Sequence, residues 1–151
     1  MTDPIIQTES QLNEYLQRHQ DCKIIGFDTE FISEDTYRPE LCLIQVNADR
    51  DIALIDPYDI ANLMPFWQWL TDPSRIIIVH ACREELRFIF QATNEAPQNL
   101  MDIQIAAAFV GLEYPASYGT LTNRLLNISL NKGETRTDWR RRPLTDAQCK
   151  Y

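Results

Sequence analysis

The feature that most limits the possible folds is a continuous apolar run, "RIIIVH", at residues 75–80 of this 151-residue chain. A run without polar alternation is typical of a strand that is buried on both faces, and such strands occur mainly in α/β proteins, where helices cover the sheet. A helical pattern follows the run directly, from about residue 81 to 91. Another strand precedes it at 23–28, within "KIIGFDTEF". The sequence therefore predicts an α/β fold in one domain over residues 1–151.

The other predicted elements complete a mixed central sheet flanked by helices. "LCLIQVNADRDIALID" at 41–56 is typical of a β-hairpin about a polar turn, and "NLMD" at 99–102 of a short strand. The capping-box pattern "TESQ" at 8–11 indicates a helix start, and we expect Asp59 to cap a second helix. The apolar stripe of that second helix consists of Ile60, Leu63, Met64, Trp67 and Leu70. Further helices are predicted from 103 to near Gly111, around 119–126, and from Thr145 to the end of the chain.

Composition limits the classes of function. The N-terminus lacks the basic start and apolar run of a signal peptide, and no apolar segment reaches membrane-spanning length. The four cysteines are widely spaced without a C-x-x-C pair, which in an unexported protein indicates reduced thiols. We therefore expect a cytoplasmic protein that has no membrane partner. The formal net charge of −8 argues mildly against sequence-independent binding to nucleic acid, because phosphate contacts need cations.

The distribution of basic residues allows two interpretations. Four of the fourteen lie in "RTDWRRR" at 136–142, beside the aromatic Trp139. Such a run is most often a solvated surface, but a basic strip with an aromatic residue could also hold a polyanion. Composition does not choose between the two.

Asp28 and Glu30 end a predicted strand and point to the same side of it, because side chains alternate along a strand. Two carboxylates this close resist joint ionisation unless a cation or strong donors lie between them. A hard divalent ion such as Mg²⁺ or Mn²⁺ prefers oxygen ligands of this kind. The plainer interpretation is that they are solvated acids at the end of a strand.

A third carboxylate strengthens the metal interpretation. The helix at 81–91 leaves the C-terminal end of "RIIIVH", which is where α/β sheets usually keep their sites. Glu85 lies at the edge of the apolar stripe of this helix, against the core, whereas Glu84 lies almost opposite and is predicted to be a surface acid. The stripe itself is predicted to consist of Cys82, Leu86, Ile89 and Phe90.

Two further polar residues follow strands. His80 has no metal-ligand partner at H-x-x-x-H or H-E-x-x-H spacing, so we interpret it as a hydrogen-bonded histidine at a strand end. Asp102 is predicted to cap the next helix. The chain contains no G-x-S-x-G motif, and its four glycines are too far apart for a phosphate-binding loop.

Five blocks of the sequence resemble, in order and spacing, the ribonuclease D-like 3′–5′ exonucleases, which belong to the tyrosine-containing branch of the DEDD superfamily. They cover nearly the whole chain, from about residue 5 to 151, and five blocks in register are far more specific than "DTEF" alone. The blocks are "FDTEF" at 27–31, "RPELCLIQV" at 38–46, "HACREEL" at 80–86, "MDIQIAAAFVG" at 101–111 and "ETRTDWRRRPLTDAQCKY" at 134–151.

The resemblance implies a ribonuclease H-like fold and hydrolysis of the 3′-terminal phosphodiester of RNA with two divalent ions, Mg²⁺ or Mn²⁺. Asp28 and Glu30 match the first motif and are implied metal ligands. Glu85 matches the metal-binding aspartate of the second motif. Tyr151 matches the tyrosine of the third motif, whose hydroxyl orients the attacking water. The implied partners are the 3′ ends of single-stranded RNA, including structured precursors such as tRNA.

The resemblance also implies substrate contacts and two departures from the family. Phe31, which follows the first motif, is a candidate support for a base or sugar, and His80 and Arg136 are further candidate substrate-binding residues. Glu85 is one methylene longer than the aspartate of the family. A fourth carboxylate would lie four residues beyond Tyr151, so we expect residues 1–151 to be an exonuclease domain that is incomplete at its C-terminus.

Two other functions stay open from the sequence. A catalytically silent domain of the same fold that only binds nucleic acid is favoured by Glu85 and by the missing fourth carboxylate. A 3′–5′ exonuclease that acts on DNA is the other, because no residue can be assigned to a 2′-hydroxyl contact.

Overall fold

The computed structural model describes residues 5–34, 37–130, 133–134 and 137–151. Within these ranges the chain forms one six-stranded sheet and five α-helices. The strands are β1 (Ile5–Ile6), β2 (Ile24–Ile32), β3 (Glu40–Ala48), β4 (Asp51–Ile55), β5 (Ile76–Val79) and β6 (Leu100–Asp102). The helices are α1 (Glu9–Arg18), α2 (Met64–Thr71), α3 (Arg83–Thr93), α4 (Ile103–Phe109) and α5 (Tyr118–Leu126), and a short 3₁₀ helix covers Gln148–Lys150.

The sheet is mixed, as predicted, with the strand order β1-β4-β3-β2-β5-β6. The strands β2, β3 and β4 are antiparallel neighbours, whereas β5 and β6 continue parallel to β2, and β1 is parallel to β4. The predicted hairpin joins β3 to β4 through Asp49 and Arg50, whose φ angles of 54° and 68° are both positive. Two positive φ angles in a two-residue loop match the turn whose twist suits antiparallel strands.

One face of the sheet carries the main core and is covered by α1, α2 and α3. The capping box that begins α1 is present: Gln11 N donates to the Thr8 hydroxyl at 3.2 Å, and Thr8 N donates to Gln11 Oε1 at 3.1 Å. Such a cap stabilises a helix by about 1 kcal/mol. Leu12 and Tyr15 then bury the inner side of α1, each with 1% of its surface exposed.

The predicted start of α2 is wrong. The helix begins at Met64, after Leu63, and Pro65 occupies its first turn. Proline suits that position because its missing N–H has no partner in the helix there. Asp59 lies before the helix and accepts a hydrogen bond from the Gln7 side chain at 3.2 Å instead. An acidic residue ahead of an apolar stripe is therefore not sufficient to mark a helix start when a proline follows within the stripe.

The opposite face of the sheet is partly covered by the C-terminal segment, residues 137–151. Trp139 is 2% exposed and packs with Leu43 and Leu54 of the sheet. Gln148 N donates to the Thr145 hydroxyl at 3.2 Å, and Thr145 N donates to Gln148 Oε1 at 3.0 Å. The predicted capping pattern at Thr145 is therefore present and leads into the 3₁₀ helix.

The helices in the described ranges are all too short or too polar to cross a lipid bilayer.

Candidate active site

Asp28 and Glu30 lie on the face of β2 that is opposite to the main core. Phe27 and Thr29, which alternate with them, are buried beneath the helices. The neighbouring strand β5 pairs with β2 only as far as Gly26 and ends at Val79, whereas β2 continues to Ile32. The two carboxylates therefore lie on the part of β2 that has no partner strand on the β5 side. We call this gap in the sheet the opening, and the start of α3 lies there.

The start of α3 is held at this opening by a turn. Ala81 has a φ of 56°, an uncommon conformation for a residue with a side chain. The Asp102 carboxylate accepts from the backbone N–H groups of Ala81 and Cys82, both at 3.0 Å, and from Gln104 N at 2.8 Å. The predicted cap at Asp102 is thus present, and the same side chain also ties the turn after β5 to the end of β6.

The helix that follows does not face the core as predicted. Its buried residues are Glu85, Phe88 and Ile89, and Phe90 is 54% exposed, so the prediction that Phe90 is buried is wrong. Glu85 lies within the buried stripe rather than at its edge. Glu84 is on the outer side with an Arg87 ion pair at 2.9 Å, although its side chain is only 20% exposed.

Glu85 is directed toward β2 by a specific contact. Its Oε1 accepts a hydrogen bond from the Thr29 hydroxyl at 2.7 Å, and the two residues are 4% and 6% exposed. Because Thr29 points to the opposite side of β2 from Asp28 and Glu30, this bond holds the third carboxylate on the core side of the strand. The sequence showed no sign of this role for Thr29.

Burial raises the pKa of all three carboxyl groups. Desolvation, followed by the charges of Asp28 and Glu85, raises the pKa of Glu30 to about 8. Desolvation also raises the pKa of Glu85, opposed by the Thr29 hydrogen bond. The side chain of Asp28 is exposed, but the protein atoms around its carboxylate still raise its pKa by desolvation. A 3.0 Å hydrogen bond donated by Thr29 N lowers that pKa. A cation placed between these three carboxyl groups would favour their ionised forms and lower their pKa values.

The oxygen ligands of Asp28 and Glu30 suit a hard divalent ion, because both lie on one face beside the opening. Gln45, the residue opposite Asp28 on β3, adds an amide whose nitrogen is 3.5 Å from Glu30 Oε1. In the described part of the chain, however, no three His, Cys, Asp or Glu side chains are arranged to hold an ion. The donor set therefore fits a metal through Asp28 and Glu30, while Glu85 uses one of its two oxygens, Oε1, to accept from the Thr29 hydroxyl.

His80 directly follows β5, the strand that neighbours β2. Its Nε2 is 2.9 Å from the Ala116 carbonyl oxygen, and its charge acts on the pKa of Asp28. The prediction of a hydrogen-bonded histidine at the end of a strand is confirmed. Its ring also lies 5.6 Å from the ring of Tyr118, a residue that the sequence did not indicate.

The remaining candidate residues are placed as follows. Phe31 is partly buried and packs edge-on against Phe88 of α3, with ring centres 5.9 Å apart. Tyr151 is 41% exposed and lies 5.9 Å from the Trp139 ring. Trp139 packs on Leu43, the residue opposite Glu30 across β2 and β3, so Tyr151 belongs to the same face of the sheet. Arg136 lies outside the described residues.

The solvated-surface interpretation of the basic run holds for Arg140 and Arg141 but not for Trp139 and Arg142. Trp139 is in the core, and Arg142 forms a bidentate ion pair with the buried Asp56, at 2.5 and 2.8 Å. Arg142 thus links the C-terminal segment to the sheet by an ion pair. The basic run in the sequence does not indicate which of its arginines forms such a pair. Arg140 and Arg141 are the exposed members of this segment.

A sequence model of the family described as 3′–5′ exonuclease matches residues 4–151, almost the whole chain. The chain belongs to this 3′–5′ exonuclease family. Exonucleases of this family generally depend on divalent metal ions, in agreement with the carboxylates at the opening of the sheet.

Ribonucleases D are among the proteins to which the chain is similar. That of Shewanella sp. (strain ANA-3) is 38% identical over 146 residues, which are 97% of this chain and 38% of the relative. That of Escherichia coli (strain K12) is 37% identical over 151 residues, which are 100% of this chain and 40% of the relative. The chain therefore spans about two fifths of the length of these relatives.

The crystal structure of Escherichia coli RNase D, described as an exoribonuclease involved in structured RNA processing, superposes with a TM-score of 0.93. The two are 37% identical, and the match covers 100% of this chain and 40% of that one. The predicted α/β exonuclease fold is confirmed by this match.

Proposed function

We propose that this chain is the catalytic domain of a metal-dependent exoribonuclease that removes nucleotides from the 3′ end of single-stranded RNA. The observation that carries the proposal is the group of acids on the part of β2 that extends beyond β5, where Asp28 and Glu30 share one face and Glu85 of α3 approaches them. The similarity to ribonucleases D over the whole chain supports RNA as the substrate. Structured precursors such as tRNA are the proposed natural substrates.

In this proposal Asp28 and Glu30 would hold two divalent ions, Mg²⁺ or Mn²⁺, and Glu85 would add a further carboxylate oxygen as a ligand. The ions supply an activated water and neutralise charge on the phosphate and on the leaving 3′ oxygen. The acids provide the oxygen ligands, and the exposure of Asp28 on the face opposite to the main core gives the phosphodiester access to them.

The other candidate residues position the substrate. Tyr151 orients the attacking water through its hydroxyl, Phe31 supports the terminal base or sugar, and His80 and Arg136 contact the RNA backbone. Phe31 is suited to this role because Phe88 fixes its ring while part of its surface stays open. His80 is suited because it lies beside Asp28 and is held by the Ala116 carbonyl.

The experiment that tests the proposal is a cleavage assay with single-stranded RNA that is labelled at its 5′ end and has a free 3′ hydroxyl. We expect a ladder that shortens from the 3′ end with Mn²⁺, and none with a chelator or with Asp28→Asn. Asp21→Asn, which changes an exposed acid outside the site, is the matched control and should cleave at the parental rate. Equal cleavage by Asp28→Asn and its parent would show that the site assignment is wrong.

A second candidate function is a silent domain that binds nucleic acid without cleaving it. It is favoured by the 2.7 Å bond that holds Glu85 on Thr29 and by the missing three-residue metal group among the described residues. Retention of RNA without cleavage in the same assay would favour this function. Faster cleavage of a DNA of the same sequence would favour a deoxyribonuclease.

A further inference from the structure

An exposed aromatic ring stands next to the candidate active site. Tyr118, the first residue of α5, is 51% exposed, and its ring meets the ring of His80 at 5.6 Å with an angle of 60° between the two planes. His80 directly follows β5, the strand that neighbours β2, and it acts electrostatically on the carboxylate of Asp28. The ring of Tyr118 therefore contacts a residue that lies near the acids of β2.

The backbone that carries this ring is fixed to the site. The carbonyl of Ala116, which is 2% exposed, accepts from the Gln104 side chain at 3.0 Å and lies 2.9 Å from His80 Nε2. Ser117 caps α5 by accepting from Thr120 N at 3.1 Å. These contacts hold the segment before Tyr118 on both sides, so its ring is positioned before any ligand arrives. A ring that is already ordered loses little entropy on binding.

We propose that Tyr118 is a stacking platform for a nucleobase of the RNA close to its 3′ end. Bases stack on exposed aromatic rings whatever their sequence, which suits an enzyme that shortens any single strand. Because Tyr118 contacts His80, which lies near Asp28, we place the stacked base among the last three nucleotides of the strand. This inference rests on the proposed function and adds to it a binding contact that none of the acids provides.

The experiment measures RNA affinity by fluorescence anisotropy, in the Asp28→Asn background so that the strand stays intact. Tyr118→Leu should weaken binding by about 5- to 150-fold, the loss expected when one stacked base loses its aromatic partner. Tyr118→Phe keeps the ring and should bind as its parent does. Phe109→Leu removes another exposed aromatic, 89% open on α4, and is the matched control that should have no effect.

Abasic RNA makes the test specific to stacking. Three strands each lack one base, at the last, second-last or third-last position, and a fourth lacks a base ten positions from the end. We expect one of the first three to bind the parent weakly and to lose nothing further with Tyr118→Leu, because the stacked base is already missing. The fourth strand should bind like intact RNA.

The outcomes separate this inference from the proposed function. If the parent cleaves RNA from the 3′ end, but Tyr118→Leu binds as tightly as Tyr118→Phe, the stacking platform is wrong and the exoribonuclease remains. The stacking platform would also be wrong if Tyr118→Leu weakened the binding of every abasic strand as much as it weakened the binding of intact RNA. If the chain neither binds nor cleaves RNA, both proposals are wrong.

Discussion

Removal of Arg142 is the perturbation whose effect the structure defines most sharply. Its guanidinium donates to both oxygens of Asp56, at 2.5 and 2.8 Å, and to the carbonyls of Cys42 and Trp139, at 2.7 and 2.8 Å. It also lies over the ring of Tyr58, 4.7 Å from its centre. We predict that Arg142→Met destabilises the protein mainly because it leaves the carboxylate of Asp56 buried without its counter-charge.

The magnitude follows from the burial of the two partners. The Asp56 side chain is 1% exposed, so water cannot replace the lost donors there, whereas the Arg142 side chain is 23% exposed and already partly hydrated. Removing one partner of a buried ion pair costs about 3–5 kcal/mol. We expect the lower end, about 3 kcal/mol, because of the partial hydration of the guanidinium. This is a large part of the 5–15 kcal/mol that is typical of a domain.

The assay is urea unfolding followed by tryptophan fluorescence, since Trp139 lies in the segment that Arg142 holds. A loss of about 3 kcal/mol lowers the urea midpoint by about 1–3 M. Arg141→Met changes an exposed neighbour and should stay within about 0.5 kcal/mol of the parent. Adding Asp56→Asn to Arg142→Met should restore about 1 kcal/mol or more, since the buried charge is then gone. A further loss in that double variant would refute the reasoning.

Three further predictions concern the candidate active site. Glu85→Asp should raise the affinity for Mn²⁺ in calorimetry, because the shorter side chain loses its bond to Thr29 and both of its oxygens are then available to an ion. The same change should cost about 1–3 kcal/mol of stability by leaving the Thr29 hydroxyl unpaired. Unchanged affinity would argue against Glu85 as a ligand. In the presence of a chelator, the free energy of unfolding should fall as the pH rises from about 4.5 to about 8. The pKa of Glu30 is about 8 in the folded protein and has an ordinary value of 4.5, so the folded state binds the proton more tightly than the unfolded state does. Glu30→Gln should flatten that slope, and an unchanged slope would contradict the assignment. Asp102→Ala should cost about 1.5–3 kcal/mol in urea unfolding, since three backbone N–H groups lose their charged acceptor, and a loss below 0.5 kcal/mol would refute this role.

The pattern of apolar residues predicted most of the fold, because that pattern is local. The apolar run of β5, the alternation and polar turn of the hairpin, and the capping pattern at Thr8 each depend on residues within a few positions. The start of α2 was missed where two local signals compete: Asp59 favours an earlier helix, and Pro65 fits only in the first turn.

The rotation of α3 was missed for a different reason. An apolar stripe can be derived only from apolar residues, so Glu85 was placed at its edge and Phe90 was assigned to the core. The turn at Ala81 and the hydrogen bonds that Asp102 accepts fix the rotation of α3 about its axis. Asp102 is 21 residues from Ala81 in the chain. A buried acid is stable there because the Thr29 hydroxyl, 56 residues away, donates to it.

The sequence by itself determined the class of the fold and that Asp28 and Glu30 share one face of a strand, because side chains two positions apart on a strand point to the same side. The strand predicted at 23–28 continues to Ile32, so the two acids lie within it. The tertiary structure alone decided where Glu85 points, that Arg142 belongs to an ion pair with Asp56, and that Tyr118 stands beside His80. Each of these contacts joins residues far apart in the chain, 86 positions in the case of Arg142. Their free energy depends on burial and on the partner, neither of which exists until the sheet and its helices have packed together.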